Sequence, residues 1–539
     1  MKISLYFYTI IHLRPKQIYY RLFYKIRTWF RKIVGFQYAL SIPVKSSLIS
    51  LKPSISSNQS YFLQQNCFQF LNQSQTFPNN QINWNDEKTF GKLWAYNLNY
   101  FEFLNQENFT VSEGLFLIRT YIQAGTTLKT GFEPYPMSLR GINWIKFLSK
   151  NKVQEPKIDG FLMAQYVRLS DNLEHHLMGN HLLENAFSLL FGGFYFKNEG
   201  FLKLSYKILK EELPEQILED GGHFERSPMY HQIILFKVLD CLNLVKNNDD
   251  FTKCNFEQTL TIYAQKMLNF LQNITFKNGE IPLVNDAAQN IAPTTKQLVE
   301  YAQKLNLYQQ LSTTEQLNNS KLSESGYRKF ENKIFELFMD IGDIAPDYQP
   351  AHAHCDTLSF VLHIHEKPFI VDTGISTYKN NQIRQKERST SAHNTVQIGD
   401  FEQSEMWSSF RVGRRAKAMI LSENDTKIIA SHDGYKRLGV ISERSYLTEN
   451  QQIIIQDRII GETNYTQKAY LHFHPNVTME ILGNTIKTNL GNITFDNVTE
   501  IKKSEYFFCE EFNKTNPAIV LTLLFKKYLA TTISYQSPP

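Results

Sequence analysis

A chain of 539 residues exceeds what one hydrophobic core holds, and 42% hydrophobic with 14% aromatic residues excludes a long disordered protein. With 57 basic and 52 acidic residues the net charge is only +5, which does not argue for a nucleic-acid binder and leaves a mild positive field suited to an acidic ligand. Five cysteines (Cys67, Cys241, Cys254, Cys355, Cys509) lack CxxC spacing, so neither a disulfide framework nor a thiolate zinc site is indicated.

The apolar run Ile3 to Ile11 meets His12, Arg14 and Pro15 without a small-residue cleavage site, so neither a signal peptide nor a transmembrane helix is expected. Over 16–33, Ile18, Leu22, Ile26, Trp29, Phe30 and Ile33 recur at helical spacing, with Arg21, Lys25, Arg31 and Lys32 mostly on other faces. This basic amphipathic helix either packs on the main domain or makes peripheral contact with an anionic membrane surface. Residues 40–85, rich in Ser, Asn and Gln, read as an irregular connection.

From Leu93 to about Leu305 apolar positions three and four apart predict helices over 112–127, 160–171, 173–192, 200–213, 229–246 and 256–273, an array either toroidal or solenoidal. After about Ser325 the period changes to that of strands. A dozen short strands in about 210 residues predict an antiparallel sandwich. The expected organisation is an N-terminal segment 1–85, a helical domain 86–325 and an all-β domain 326–539.

Three clusters carry chemistry. On the helix 173–192, Asn180, His181, Glu184 and Asn185 make one polar stripe, explained either by inter-helix hydrogen bonds or by a site. The run Asp220–His231 packs six ionisable residues around a Gly-Gly turn before an apolar helix, which places Tyr230 to project into a cleft. In Pro350–Phe360, His352 and His354 form an HxH pair expected on one face of a strand. His354, Asp372 and His393 together suit zinc or another divalent metal, with His352 left for acid/base chemistry; histidines satisfied by backbone carbonyls are the alternative. Cys355 is a ligand, a nucleophile or a small buried hydrophobe. The run Arg384, Arg388, Arg411, Arg414 and Arg415 offers guanidinium forks for carboxylates or sulfates, or pairs with Glu405 and Asp400.

Taken together, Asn180–Asn185, Asp220–His231, His352–Phe360 and Ser391–Val396 resemble the heparinase II/III family of polysaccharide lyases, supported by Leu93–Phe101, Ser138–Trp144 and Ser404–Trp407. The resemblance implies an α+β architecture, an incomplete α/α toroid followed by an antiparallel β-sandwich. It also implies β-elimination on a uronic-acid-containing acidic polysaccharide without an organic cofactor. Asn180, with His181 and Glu184, would neutralise the uronate carboxylate; Tyr230 and, from the other face, His352 would exchange protons with C5 and O4. Asn143, Trp144, Arg226, Arg388 and Trp407 are the expected substrate-binding residues, and His354, Asp372 and His393 the expected structural metal ligands. Asn99 stands where the family pattern has a histidine. A bacterial cell-envelope or periplasmic location follows from the resemblance, a cytoplasmic one from the missing signal. Two further readings share these residues: a uronyl C5-epimerase, and a non-catalytic glycan-binding protein of surface-polysaccharide biosynthesis.

Overall fold

The computed structural model describes residues 3–62, 66–249, 253–307, 322–449 and 451–535, so part of the expected junction between the two large domains lies outside the described residues. Helix α1 (Ile3–Ile10) precedes α2 (Pro15–Ile33), whose span matches the amphipathic period. The connection that follows is not wholly irregular: β1 (Tyr61–Phe62), β2 (Cys67–Phe70) and β3 (Gln73–Thr76) form a three-stranded antiparallel sheet. Its β2–β3 turn places Leu71 and Asn72 at positive φ, and without a glycine there the sequence carries a weak hairpin signal. Phe68 and Phe70 of β2 pack edge-on against Trp84 and Trp94, which buries the sheet on the helical domain.

That domain comprises α3 (Lys92–Tyr100), α4 (Val111–Ala124), α5 (Pro134–Lys150), α6 (Pro156–Asp171), α7 (Gly179–Phe196), α8 (Glu199–Gln216), α9 (Pro228–Asn247), α10 (Lys253–Ile274) and α11 (Thr295–Lys304). Helices α5 and α7 are buried along nearly their whole length and form the middle of the toroid. Helix α7 starts later than its apolar pattern suggests, because Met178 and Gly179 both adopt positive φ and interrupt the helical path. The polar stripe therefore falls in the first two turns, at a helix end, where a site can be built.

The β domain opens with β4 (Tyr327–Glu331), β5 (Phe335–Asp340), β6 (Ser359–Ile364) and β7 (Lys367–Ile370), an antiparallel sheet in chain order. After the short α12 (Gln382–Glu387) come β8 (Val396–Ile398), β9 (Met406–Trp407), β10 (Arg411–Val412), β11 (Ala418–Glu423), β12 (Lys427–His432), β13 (Val440–Glu449), β14 (Gln452–Gly461), β15 (Gln467–His472), β16 (Met479–Leu482), β17 (Thr485–Thr488), β18 (Asn492–Glu511) and β19 (Lys514–Ser534). Among the described residues, strands β9 and β10 pair only with each other. The large sheet runs β11-β12-β13-β14-β19-β18-β17-β16, with β15 on β19 and β8 on β15. Leu337, Met339, Phe360 and Leu362 of the smaller sheet share one core with Ile428, Ile455, Leu523 and Ile533 of the larger, which makes the two a sandwich.

The HxH pair is not on a strand: His352 and His354 lie in the irregular run between β5 and β6. Arg444 of β13 holds the end of that run. Its guanidinium forks onto Asp457 of β14 at 2.7 and 3.0 Å, and donates to the carbonyls of Leu358 and Asn394 at 2.7 and 2.5 Å. Replacing Arg444 with methionine leaves Asp457 buried and uncompensated, and should cost about 3–5 kcal/mol of stability. Chemical denaturation of the variant checks this, and a loss below about 1 kcal/mol contradicts it.

Candidate active site

The site forms where the first turns of α7 and α9 meet the loops of the sandwich, and its centre is a residue outside the predicted set, Asp286, between α10 and α11. This fully buried carboxylate receives Arg384 as a fork, Nη1 to Oδ1 at 2.5 Å and Nη2 to Oδ2 at 2.7 Å. Two imidazoles complete its shell: His352 Nδ1 is 2.9 Å from Oδ2, and His354 Nε2 is 2.9 Å from Oδ1. Both histidines of the HxH pair thus converge on one carboxylate from a loop. Burial alone would lift the Asp286 carboxyl, but Arg384 and the imidazoles hold it well below the ordinary carboxylate range. A carboxylate acceptor at Nδ1 keeps the hydrogen there, so the neutral form of His352 presents Nε2 with its lone pair.

The His352 ring stacks on Tyr230 with centroids 3.9 Å apart, which sets the imidazole and the phenol side by side. Ser227 caps α9 and fixes the start of the helix: its side chain accepts from the Tyr230 amide and its hydroxyl donates to the Asp286 carbonyl at 2.6 Å. Burial raises the Tyr230 phenol above its ordinary value, which keeps it protonated at neutral pH. The Gly-Gly turn upstream is required sterically, since Gly221 has φ of +88° and a Cβ there would meet the Lys266 carbonyl oxygen at 2.1 Å.

Asn180 is buried, with its amide Nδ2 donating to Glu225 Oε2 at 2.8 Å and its backbone N–H to Oε1 at 3.1 Å. Glu225 also lies 3.7 Å from His352 Nε2, so it joins the helical and β halves of the site. Burial opposes ionisation of Glu225, but the neighbouring His223, His352 and Asn180 lower it below its ordinary value. His181 remains partly exposed and pairs with Glu174 at 3.0 Å; burial works against its charge, yet Glu174 raises it above the ordinary histidine value. Asn185 turns away to hold the other Glu174 oxygen at 3.0 Å and donates to Ser138 Oγ of α5 at 3.1 Å, and this second bond is the inter-helix reading of the stripe. Glu184 is fully buried with both oxygens unpartnered, and burial lifts it to about 7. It lies among Tyr100, Tyr135, Lys237 and Glu102, with no surface to offer a carboxylate directly.

The expected substrate-binding residues divide. Asn143 lines a recess of about 700 Å³ together with Asn97, Asn105, Lys146 and Phe236. Trp144 is fully buried in the helical core against Phe101 and Phe161, which corrects its assignment to substrate. Arg226 donates to the carbonyls of Asp343 and Glu324, and clamps its loop to the sandwich. Arg388 is fully buried, donating to the Ala353 carbonyl at 3.0 and 3.2 Å and to Ser409 O at 3.1 Å. It positions the peptide between the two histidines and does not reach a ligand. Trp407 donates to Thr9 Oγ1 at 3.1 Å and packs on Tyr6, so α1 covers it. Cys355 is the buried small side chain of the third reading, with Sγ 3.1 Å from the Ser404 carbonyl. Asn99 is equally internal, held by the Trp84 and Ala95 carbonyls and Tyr121.

Among the described residues no group of three His, Cys, Asp or Glu side chains is set to enclose a metal ion. The expected ligands are nevertheless neighbours: His393 Nδ1 bonds Asp372 at 2.7 Å, and the His393 ring lies 5.3 Å from that of His354. His354 Nδ1, His393 Nε2 and Asp356 Oδ2 are buried without partners. Those donors suit a zinc ion, with Asp286 and Asp372 holding the opposite ring nitrogens as outer-shell carboxylates do. Sequence reading missed Asp286, Tyr135 and Glu174. Glu225 and Arg384 stood inside stretches already singled out.

An all-helical toroid packed on a two-sheet sandwich, with a tyrosine, histidines and an asparagine at their junction, defines the architectural class. The family models for the heparinase II/III N-terminus and the heparinase II/III-like C-terminal region match residues 136–313 and 315–536, and the chain belongs to this family. A heparin-sulfate lyase of Bacteroides thetaiotaomicron is 28% identical over 257 residues, 41% of this chain and 37% of that protein. One from Bacteroides stercoris is 24% identical over 322 residues, 55% of this chain and 45% of the relative. The chain therefore matches less than half the length of these relatives. Crystalline heparinase III superposes with a TM-score of 0.69 at 16% identity over 97% of this chain and 92% of that one. A heparan sulfate lyase of Pedobacter heparinus gives 0.57 at 16% identity over 88% and 82%. These structures share the fold.

Glu184 sets a pH dependence of stability. Its folded value of about 7 exceeds the ordinary 4.5, so the folded state binds the proton more tightly and stability falls as pH rises between those values. Glu184→Gln removes this loss, and should gain on the order of 3 kcal/mol relative to the parent on going from below 4.5 to above 7. Denaturant midpoints at the two pH values check it; a parallel change in both proteins contradicts it.

Proposed function

We propose that the protein is a polysaccharide lyase that cleaves a uronic-acid-containing acidic polysaccharide by β-elimination. The observation that carries this reading is the Tyr230–His352 stack, in which Asp286 fixes the His352 tautomer while the phenol stays protonated. A uronate C5 proton becomes removable only when the adjoining carboxylate is neutralised. The His181 imidazole, whose charged form Glu174 favours, and the Asn180 amide supply that donor environment. His352 Nε2 then takes the C5 proton, the electron pair forms the C4–C5 double bond, and the C4–O4 bond breaks as the Tyr230 phenol protonates O4. Base and acid stacked on one side fit removal and delivery on the same face of the sugar. The asparagine-rich recess containing Asn143 gives planar donors and acceptors suited to sugar hydroxyls.

Incubating the purified protein with a panel of uronate polysaccharides should yield the ultraviolet absorbance of an unsaturated uronate. Tyr230→Phe and His352→Ala should each lower the rate by at least about 100-fold. Deuterium uptake at C5 without chain cleavage would favour the epimerase and overturn this reading; activity unchanged in both variants would overturn the roles given to Tyr230 and His352, and no product with any of the polysaccharides would favour a binding protein.

We propose in addition that His354 and His393, with Asp372 and Asp356 around them, hold a structural divalent metal. When bound, it would supply a rigid positive centre beside the loop that carries His352. Elemental analysis should find stoichiometric zinc in the parent and little in His354→Ala. Equal zinc in both rules out His354 as a ligand.

A further inference from the structure

Helix α2 is attached by its polar side. Gln17 donates to the Leu177 carbonyl at 3.2 Å, Arg21 to His176 O at 3.3 Å and Tyr24 to Leu173 O at 2.5 Å. Further along, Arg27 and Arg31 pair with Asp171 at 3.0 and 2.6 Å. At 3.6 residues per turn these five positions form one face, which is docked on the turn between α6 and α7. The opposite arc is apolar and open to solvent: Leu22 is 57% exposed, Ile26 64%, Trp29 65%, Phe30 57% and Ile33 63%. Helix α1 and the residue after it add Phe7, Ile10 and Ile11, each more than half exposed. A folded protein that spends its polar face on itself and leaves an apolar arc of this size outward has built a surface for something else to cover.

The charge of the segment indicates what covers it. The first 85 residues contain ten lysines and arginines and no aspartate or glutamate, while the remainder carries 47 basic against 52 acidic residues. Lys25 and Lys32 are exposed at one border of the apolar arc, and Arg411 is exposed on the strand pair that α1 packs against. Trp29 and Tyr19 within the arc are of the aromatic types that settle at the headgroup level of a bilayer. A second protein surface would not demand a segment so uniformly cationic; an anionic lipid surface would. No helix among the described residues is long and apolar enough to cross a membrane, so this one would lie in the interface plane.

We infer that α1 and α2 form an interfacial platform that seats the protein on an anionic lipid bilayer, with the apolar arc in the headgroup region and Lys25, Lys32 and Arg411 against lipid phosphates. Flotation of the full chain with phosphatidylglycerol-containing vesicles, compared with phosphatidylcholine alone, tests this. Binding is expected with the anionic vesicles, weakening as salt rises. Lys25→Glu with Lys32→Glu should reduce it on the order of 30-fold or more, and Trp29→Ser with Phe30→Ser should abolish it. These side chains are exposed, so unchanged thermal unfolding certifies that the variants fold. No flotation of the parent with anionic vesicles overturns the inference, as does binding that neither pair of substitutions alters. Concentration-dependent dimerisation lost in Trp29→Ser with Phe30→Ser, without vesicle binding, would instead assign the face to a second copy of the chain.

Discussion

The junction of the two domains depends on one buried carboxylate. Asp286 belongs to the connection between α10 and α11 within the toroid, yet its partners Arg384, His352 and His354 all come from the sandwich. A charge so deeply placed is tolerable only because a bidentate guanidinium and two imidazoles replace its water. The same contacts that make it tolerable also orient the groups proposed to do chemistry. Stability and catalytic geometry are therefore coupled at this point, and a change to Asp286 or Arg384 acts on both.

Around this centre the protein uses ionised groups to orient others. Glu174 aligns His181 and favours its charged form, Glu225 holds Asn180, and Asp372 orients His393. Arginines expected to meet substrate are structural struts, since Arg388 grips the carbonyl between the two histidines and Arg226 ties its loop to the sandwich. The basic groups at the site are thus largely spent on its own framework. Under the proposed reaction the asparagines and His181 are left to meet a uronate, which favours recognition by hydrogen bonds over recognition by a dense field of positive charge.

Much of this was legible in the sequence. The change from helical to strand period near residue 325 matches the two domains, and the stretches around Asn180, Tyr230 and His352 contain the groups that meet at the site. Pattern reading failed where tertiary contacts decide. Asp286 sits in the long connection between α10 and α11 with no motif around it, and its importance lies in partners roughly 65 to 100 residues away. The HxH pair reads as a strand in sequence because alternation alone cannot distinguish a strand from a pinned loop. Trp144 and Trp407 have the side chains that stack on sugars, but whether such a ring lines a cleft or fills a core depends on what packs over it. The inverted placement of α2 was likewise invisible, since the period gives a polar and an apolar face without saying which one docks.

The claim on which the account rests is that Asp286 holds His352 in the tautomer with hydrogen on Nδ1, leaving Nε2 free to accept a proton. Nitrogen NMR of imidazole-labelled protein measures this directly, with the His352 signals identified among the 14 histidines by their loss in His352→Gln. The account predicts a protonated Nδ1 and an unprotonated Nε2 in the neutral ring, with that preference lost in Asp286→Ala. A neutral His352 protonated at Nε2, or a tautomer indifferent to Asp286, would contradict it.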